Sequence, residues 1–275
     1  MIRETIAKKR RKLFNAIIEA AFYNRFAQKI IGTITHFRAT DAVALTFDDG
    51  PHPEHTPRLL DILSRYCVRA TFFPIGEFAQ KHPELIRRMA EAGHAIGNHS
   101  WSHAAFPFIA SREQREQIRA SAEVLAPYEQ KIFRPPYGYQ NIISRLNARW
   151  LGYQVVTWSV HAEDWFDREA AWMTERLMTE IQPGSIVLLH DGVFDGLHER
   201  FFDRGQTIKA VEMLLERLNN RFRFLTIPEL IRQAKPQRVN WYVPLANHRL
   251  KNIRKTLNRM KRPEGKARIY AKNET

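Results

Sequence analysis

The sequence predicts an α/β fold: a distorted (β/α) barrel of about seven strand–helix units, with N- and C-terminal basic amphipathic helical extensions. From Ala42 onward, short apolar and β-branched runs alternate with amphipathic stretches, the pattern of a mostly parallel sheet covered by helices. Several of those runs end in polar clusters, the position from which a β/α barrel builds its active site. No Gly-x-Gly-x-x-Gly or phosphate-loop pattern follows the first strand, which speaks against a dinucleotide fold. An open doubly wound sheet is the alternative architecture.

Residues 1–38 are assigned to the first extension. Met1 to Lys12 is basic, and Leu13, Phe14, Ile17, Ile18, Ala21 and Phe22 recur at helical spacing. Asn15 and Glu19 interrupt the apolar stretch and no small-residue cleavage site follows, so the segment reads as an amphipathic helix rather than an export signal.

The central domain is placed at 39–234. Val43–Phe47 reads as a buried strand. Thr56–Tyr66 reads as a helix, with Thr56 as cap and Pro57 as first residue. Ala70–Ile75 follows as a strand, Pro83–Ala92 as a helix closed by Gly93, and Ala95–Gly97 as a short strand. Then come helix Arg112–Leu125, strand Ile132–Arg134, helix Asn141–Leu151 and strand Gln154–Val160. Helix Trp172–Ile181, strand Ser185–His190, helix Thr207–Leu218 and strand Phe222–Thr226 complete the unit. Residues 235–275 form a basic, partly helical tail, in which Leu250, Ile253, Leu257 and Met260 recur at helical spacing among Lys251, Arg254, Lys255, Arg259, Lys261 and Arg262.

The formal charge of +14 is concentrated at the ends. Residues 1–38 carry a net +7 and residues 235–275 a net +10, leaving −3 for the middle. That distribution argues against a basic catalytic groove for nucleic acid, and points instead to ends that meet an anionic surface. A basic amphipathic helix near Trp241-Tyr242-Val243 suits an anionic membrane, with a solvated tail or a helix docked on the barrel as the plainer readings. The single cysteine, Cys67, excludes an internal disulfide and fits a reducing compartment. No stretch reaches the roughly 18 apolar residues of a membrane-spanning helix. The expected location is cytoplasmic, peripheral on the inner membrane face.

The strand-end clusters carry the chemistry. His99 and His103 are four apart, which on a helical turn sets two imidazoles on one side, and one of the acidic pair Asp48-Asp49 can supply a carboxylate. Two histidines and one carboxylate with open positions suit catalytic zinc, and also other divalent metals. One H-x-x-x-H pair among 11 histidines can be coincidence; the adjacent acidic pair reduces that chance. Asp48 and Asp49 would face opposite sides of a regular strand, but a turn at Gly50-Pro51 lets both reach the cleft. One then binds metal while the other takes a proton from water whose pKa the metal lowers. A solvated turn is the plainer reading of Asp-Asp-Gly. His190, ending the run Ile186–Leu189, is either a core histidine or a general acid partnered by Asp164. Arg134 is either a surface residue or a bidentate partner of Asp48. Trp101, Trp158 and Trp165 lie beside these clusters, as core or as sugar-stacking surfaces.

With these residues in place, the chain resembles the polysaccharide deacetylase family, the NodB-homology domain of carbohydrate esterase family four, from about Ala42 to Ala234. Thr46-Phe47-Asp48-Asp49-Gly50-Pro51 is similar to a motif whose first Asp is the catalytic base and whose second binds metal. His99-Ser100-Trp101-Ser102-His103 is similar to the motif that supplies two metal-binding histidines. Phe133-Arg134-Pro135-Pro136-Tyr137-Gly138 resembles one in which the Arg orients the base and the Tyr backbone N–H stabilises an oxyanion. Asp164-Trp165 and Leu188-Leu189-His190 resemble the last two: Asp164 pairs with the acid His190, while Trp165 and Leu188 line an acyl pocket. The fourth motif usually opens with Asp, where this chain has His161.

The resemblance implies a metal-dependent hydrolase, with Zn²⁺ the expected cofactor and Co²⁺ or Ni²⁺ alternatives. It would remove N-acetyl groups from amino sugars of a poly- or oligosaccharide or a lipid-linked glycan. A deformylase or other amide hydrolase, and a non-catalytic glycan-binding protein on the same fold, stay open. Nucleic-acid binding through the tails is a lesser alternative.

Overall fold

In the computed structural model, which describes residues 25–194 and 202–241, α1 (Arg25–Ile31) leads into β1 (Thr33–Arg38), β2 (Ala42–Asp48) and α2 (His55–Arg65). Then follow β3 (Thr71–Phe73), α3 (Gly76–Lys81), α4 (Pro83–Glu91), β4 (Ala95–Asn98), α5 (Ser111–Leu125), β5 (Glu129–Phe133) and α6 (Ile142–Trp150). The chain continues through β6 (Gln154–Val155), β7 (Val160–His161), α7 (Ala170–Glu180), β8 (Ile186–His190) and α8 (Gly205–Leu218). It ends in β9 (Arg223–Phe224), α9 (Ile227–Gln233) and β10 (Lys235–Val239). The expected helices around Leu13–Phe22 and Leu250–Met260 lie outside the described residues. Among the described residues no helix is long and apolar enough to cross a membrane.

β2 is buried at all seven positions, as a parallel strand covered on both faces must be. The sheet runs β6-β5-β4-β3-β2-β8-β7, with β9 added at the start of β2, and every pairing is parallel. It curls into the expected distorted (β/α) barrel. The period of two along β2 sorts its side chains. Val43, Leu45 and Phe47 pack outward against Leu59 and Leu63 of α2 and Leu214 and Leu215 of α8. Ala42 and Ala44 face a second cluster with Phe73, Ile132, Val156 and Ile186, and Thr46 and Asp48 continue that inner face. Each large apolar side chain buried this way contributes about 1.5–3 kcal/mol.

β1 and β10, which the sequence pattern leaves undivided within the two extensions, pair as an antiparallel two-stranded sheet. β1 lies across the gap between the sheet's edges: Ile34 bridges Val156 beyond β6, and His36 bridges Ser185 before β8. Ile34 and Phe37, 0% and 1% exposed, belong to the same inner cluster as Ala44 and Ile186.

Three local expectations change. The strand expected over Gln154–Val160 is two short strands, because the Thr157 carbonyl accepts from the Arg134 guanidinium and not from a neighbouring strand. The strand expected over Phe222–Thr226 stops at Phe224, since Thr226 and Glu229 form a capping box that starts α9. α2 begins at His55, and the Thr56 hydroxyl donates to Asp191 instead of capping the helix.

Gly184 marks the tightest crossing. Its φ is +85°, its carbonyl accepts from Phe37 N–H at 2.9 Å, and an added Cβ would strike the Phe37 carbonyl oxygen. Gly184→Ala is therefore expected to destabilise the protein by about 2 kcal/mol, from left-handed strain together with the clash. A lower urea midpoint at unchanged m-value would register it; an unchanged midpoint would remove this crossing as a constraint.

Candidate active site

The polar strand ends meet at one end of the barrel. Asp48 ends β2 on its inner face, and Asp49, with φ +71°, turns back toward the same cleft. The expected turn thus brings both carboxylates together, each less than a tenth exposed. His99 and His103 follow β4 through bends in which Ser100 and His103 have φ of +69° and +52°. The two imidazoles therefore converge through a left-handed loop and not along the helical turn that their spacing suggested.

Asp49 Oδ1 lies 3.3 Å from His99 Nε2 and 3.2 Å from His103 Nε2. The candidate ligand atoms of Asp49, His99 and His103 all lie within 4.8 Å of one another, and all three residues are buried. His99 Nδ1 lies 2.8 Å from the Arg134 carbonyl oxygen, so Nδ1 carries the proton and Nε2 presents its lone pair to the cluster. Asp49 Oδ1 makes no hydrogen bond despite being buried, and its Oδ2 accepts from Phe194 N–H at 3.1 Å. An orphaned carboxylate oxygen facing two imidazole nitrogens fits a shared divalent cation. Burial lowers the His103 pKa, with Asp49 opposing, and this favours the neutral, ligating imidazole. Asp49 is held well below the usual carboxylate range: burial works against this, but His103 and His99 outweigh it.

Arg134 is fully buried. Its Nη1 donates to Asp48 Oδ1 at 2.6 Å and Thr46 Oγ1 at 2.8 Å, and its Nη2 to the Thr157 carbonyl at 2.9 Å. The pairing with Asp48 is single and not the expected bidentate fork, because the second amine is committed to Thr157. The guanidinium also lies 4.2 Å above the Phe73 ring.

Across the cleft, β8 pairs with β2 so that His190 stands beside Asp48. His190 Nδ1 lies 2.9 Å from Asp164 Oδ1, and its backbone N–H donates to Asp164 Oδ2 at 2.8 Å. Burial alone would lower the His190 pKa, but Asp164, then Asp49 and Asp48, raise it to about 9. Leu188, two residues earlier, shares the inner face of β8 with His190. The Trp165 ring stands edge-on to His190 at 5.8 Å, and His161 lies 5.2 Å from Trp165. Tyr137, with φ +58°, sets its ring 4.3 Å from His103, so its turn borders the metal-ligand cluster. Asp48, Asp49, His99, His103, Tyr137, Trp165, Leu188 and His190 thus gather at one end of the barrel, with Arg134 and Asp164 buried behind Asp48 and His190. Trp158 and Trp101 serve packing: Trp158 backs Gly138, and Trp101 lies against Gly76.

Sequence reasoning missed four contributors. Thr46 shares Arg134 with Asp48. Arg204, 2% exposed, donates to the Asp164 carbonyl and sits 3.9 Å from its carboxylate. Asp191 accepts from Thr56 Oγ1, and burial raises its pKa to about 7. Trp241 Nε1 donates to the Gly138 carbonyl at 3.0 Å, securing the Tyr137 turn. The His-Asp pair at 190–191 was a signal for Asp191; Arg204 and Trp241 lie far along the chain with no local pattern to mark them.

Residues 38–156 match the profile of the polysaccharide deacetylase family. A peptidoglycan-N-acetylglucosamine deacetylase of Bacillus cereus is 36% identical over 71% of this chain and 70% of its own length. A chitooligosaccharide deacetylase of a Bradyrhizobium species is 36% identical over 70% of this chain and 91% of its own. The crystal structure of a peptidoglycan N-acetylglucosamine deacetylase superimposes with a TM-score of 0.67 at 33% identity, covering 74% of this chain and 94% of that one. A pseudoenzyme of carbohydrate esterase family four from Bacillus anthracis shares the fold, with a TM-score of 0.65 at 25% identity over 73% of this chain and 69% of that one. The chain belongs to the polysaccharide deacetylase family, carbohydrate esterase family four, and is a metal-dependent polysaccharide N-deacetylase.

Proposed function

We propose that this enzyme removes acetyl groups from N-acetylglucosamine units of a glycan, the chemistry for which its peptidoglycan- and chitooligosaccharide-acting relatives are named. The observation that carries the reading is the pairing of Asp48 and His190 on adjacent strands, beside the Asp49–His99–His103 cluster and each with its own ionic partner.

Asp49, His99 and His103 would hold a divalent metal, for which zinc suits the donor set and cobalt or nickel are compatible. Such an ion supplies Lewis-acid polarisation of the amide carbonyl and acidifies water. Asp48, aimed by Arg134, takes the proton of the attacking water. The Tyr137 backbone N–H steadies the developing oxyanion. His190 arrives protonated, because Asp164 favours its charged form, and gives its Nε2 proton to the departing amine. Trp165 and Leu188 enclose the acetyl methyl group. His161, supporting the Trp165 ring, stands where the family usually has Asp.

We further propose that the basic ends, +7 over residues 1–38 and +10 over 235–275, hold the enzyme on an anionic membrane surface near a lipid-linked or nascent glycan.

Asp48→Asn and His190→Ala are each expected to lower kcat on an N-acetylglucosamine oligomer by about 10²–10⁴-fold, read as amine released, with bound metal retained as evidence of an intact fold. Wild-type turnover by both variants on every sugar amide tried would defeat the assignment. His99→Ala is expected to lose bound metal by elemental analysis, and chelation should silence the wild type until Zn²⁺ or Co²⁺ is returned; activity indifferent to a chelator would contradict the metal role. Co-sedimentation with anionic vesicles should fall as salt rises, and the absence of any sedimentation at low salt would rule out the membrane reading.

A further inference from the structure

The connection from β7 into α7 carries more exposed aromatic surface than its catalytic residues require. Asp164, Trp165 and Phe166 lie on it, and Trp172 follows in the first turn of α7; Phe166 and Trp172 are 45% and 41% exposed. They are two of only six large hydrophobic side chains exposed among the described residues. From His190 outward the contacts are continuous. Trp165 stands 5.8 Å from His190, and Phe166 lies 5.9 Å from Trp165. The Arg168 guanidinium then lies 5.7 Å from the Phe166 ring and 4.6 Å from the Trp172 ring. Arg168 is pinned by Glu163 Oε2 at 2.9 Å, and Arg176, 5.6 Å from Trp172, by Glu180 at 3.2 Å.

We propose that Phe166, Arg168 and Trp172 form an outer sugar-binding platform, continuous with Trp165, that takes a further unit of the glycan beyond the one being deacetylated. This rests on the reading that the substrate is a chain of amino sugars.

Three features favour a sugar over other ligands. Exposed aromatic rings and a planar guanidinium offer flat, weakly hydrated surface, and the C–H face of a pyranose is the complementary shape. Both guanidinium groups are already matched by carboxylates, so the platform is not a site for a bare anion. The same Arg–carboxylate pairs leave N–H and O groups at the rim for sugar hydroxyls. Because the pairs hold the rings before any ligand arrives, little ordering is needed on binding. The platform shares a short segment, residues 164–172, with Asp164, the partner of His190, so a chain bound on it is registered against His190.

The test compares N-acetylglucosamine with its linear tetramer. Binding of each is measured by calorimetry on the zinc-loaded full chain carrying Asp48→Asn to prevent turnover, with and without Phe166→Ala and Trp172→Ala. The double change is expected to weaken tetramer binding by about tenfold, the scale of aromatic stacking. Monomer affinity and Tm should stay unchanged, because both side chains are at the surface. Equal weakening for monomer and tetramer overturns the platform, as does a tetramer unaffected by the change. A parent protein that binds the tetramer no more tightly than the monomer overturns it too, while amine release by the wild type would still uphold the deacetylase reading. Loss of anionic-vesicle binding with tetramer affinity intact would assign these aromatics to a membrane instead, and so also overturn it.

Discussion

Arg134 places a guanidinium in the barrel interior with no solvent exposure, and the active end of the fold is arranged around that charge. Moving such an ion out of water costs several kcal/mol, which a single salt bridge rarely repays. Burial pulls its pKa down while Asp48 pulls it up. The remaining compensation comes from Thr46, the Thr157 carbonyl and the Phe73 ring face. Its backbone serves as well: the N–H donates to Asn98 at the end of β4, and the carbonyl orients His99. One residue therefore joins β2, β4, β5 and the break between β6 and β7, and it aims both the proposed base and a proposed metal ligand. Removing one partner of such a pair typically costs about 3–5 kcal/mol, so its geometry is defended more strongly than its modest net contribution suggests.

The second constraint is backbone strain. Of the seven non-glycine residues with positive φ among the described residues, five lie in the loops that build the site: Asp49, Ser100, His103, Tyr137 and Glu163. Each such conformation costs on the order of 1–3 kcal/mol and persists only where surrounding contacts over-determine it. Those contacts can be named at three positions. Phe194 N–H holds the Asp49 carboxylate, the Asn98 side chain holds Ser100 N–H, and Trp241 holds the carbonyl after Tyr137. The last comes from just beyond β10, so the accessory β1–β10 sheet is tied directly to the turn that bears the proposed oxyanion donor.

These two constraints explain what the sequence could and could not reveal. Asp48, Asp49, His99, His103, Arg134, Asp164 and His190 were legible because each sits in a short motif at a strand end, and strand ends converge in a barrel. The path by which His99 meets His103 was not, because residue spacing does not report positive φ at Ser100 and His103. Nor was the single hydrogen bond from Arg134 to Asp48, since the claim of Thr157 on the second amine is a contact between distant segments. β10, Lys-Pro-Gln-Arg-Val, is nowhere fully buried, so it carries no apolar alternation to announce a strand. β1 does not alternate either: its two large apolar residues, Ile34 and Phe37, are three apart, and it is buried at nearly every position by the sheet it crosses.

A pseudoenzyme shares this barrel, so the fold by itself does not decide whether the site works. What decides is how the barrel treats chemically identical side chains. His103 and His190 are both buried, and for both, burial favours the neutral form. His103 stays lowered, facing a carboxylate oxygen that also serves His99, and so remains fit to ligate a cation. His190 engages both carboxylate oxygens of Asp164, through its ring and its own backbone N–H, and Asp164, then Asp49 and Asp48, raise its pKa to about 9. Asp164 in turn is backed by Arg204, which enters from the start of α8. The division between ligand and acid is therefore set by partners lying behind the reacting groups. A chain can keep every strand and every histidine of this barrel and still lose the division if those partners change.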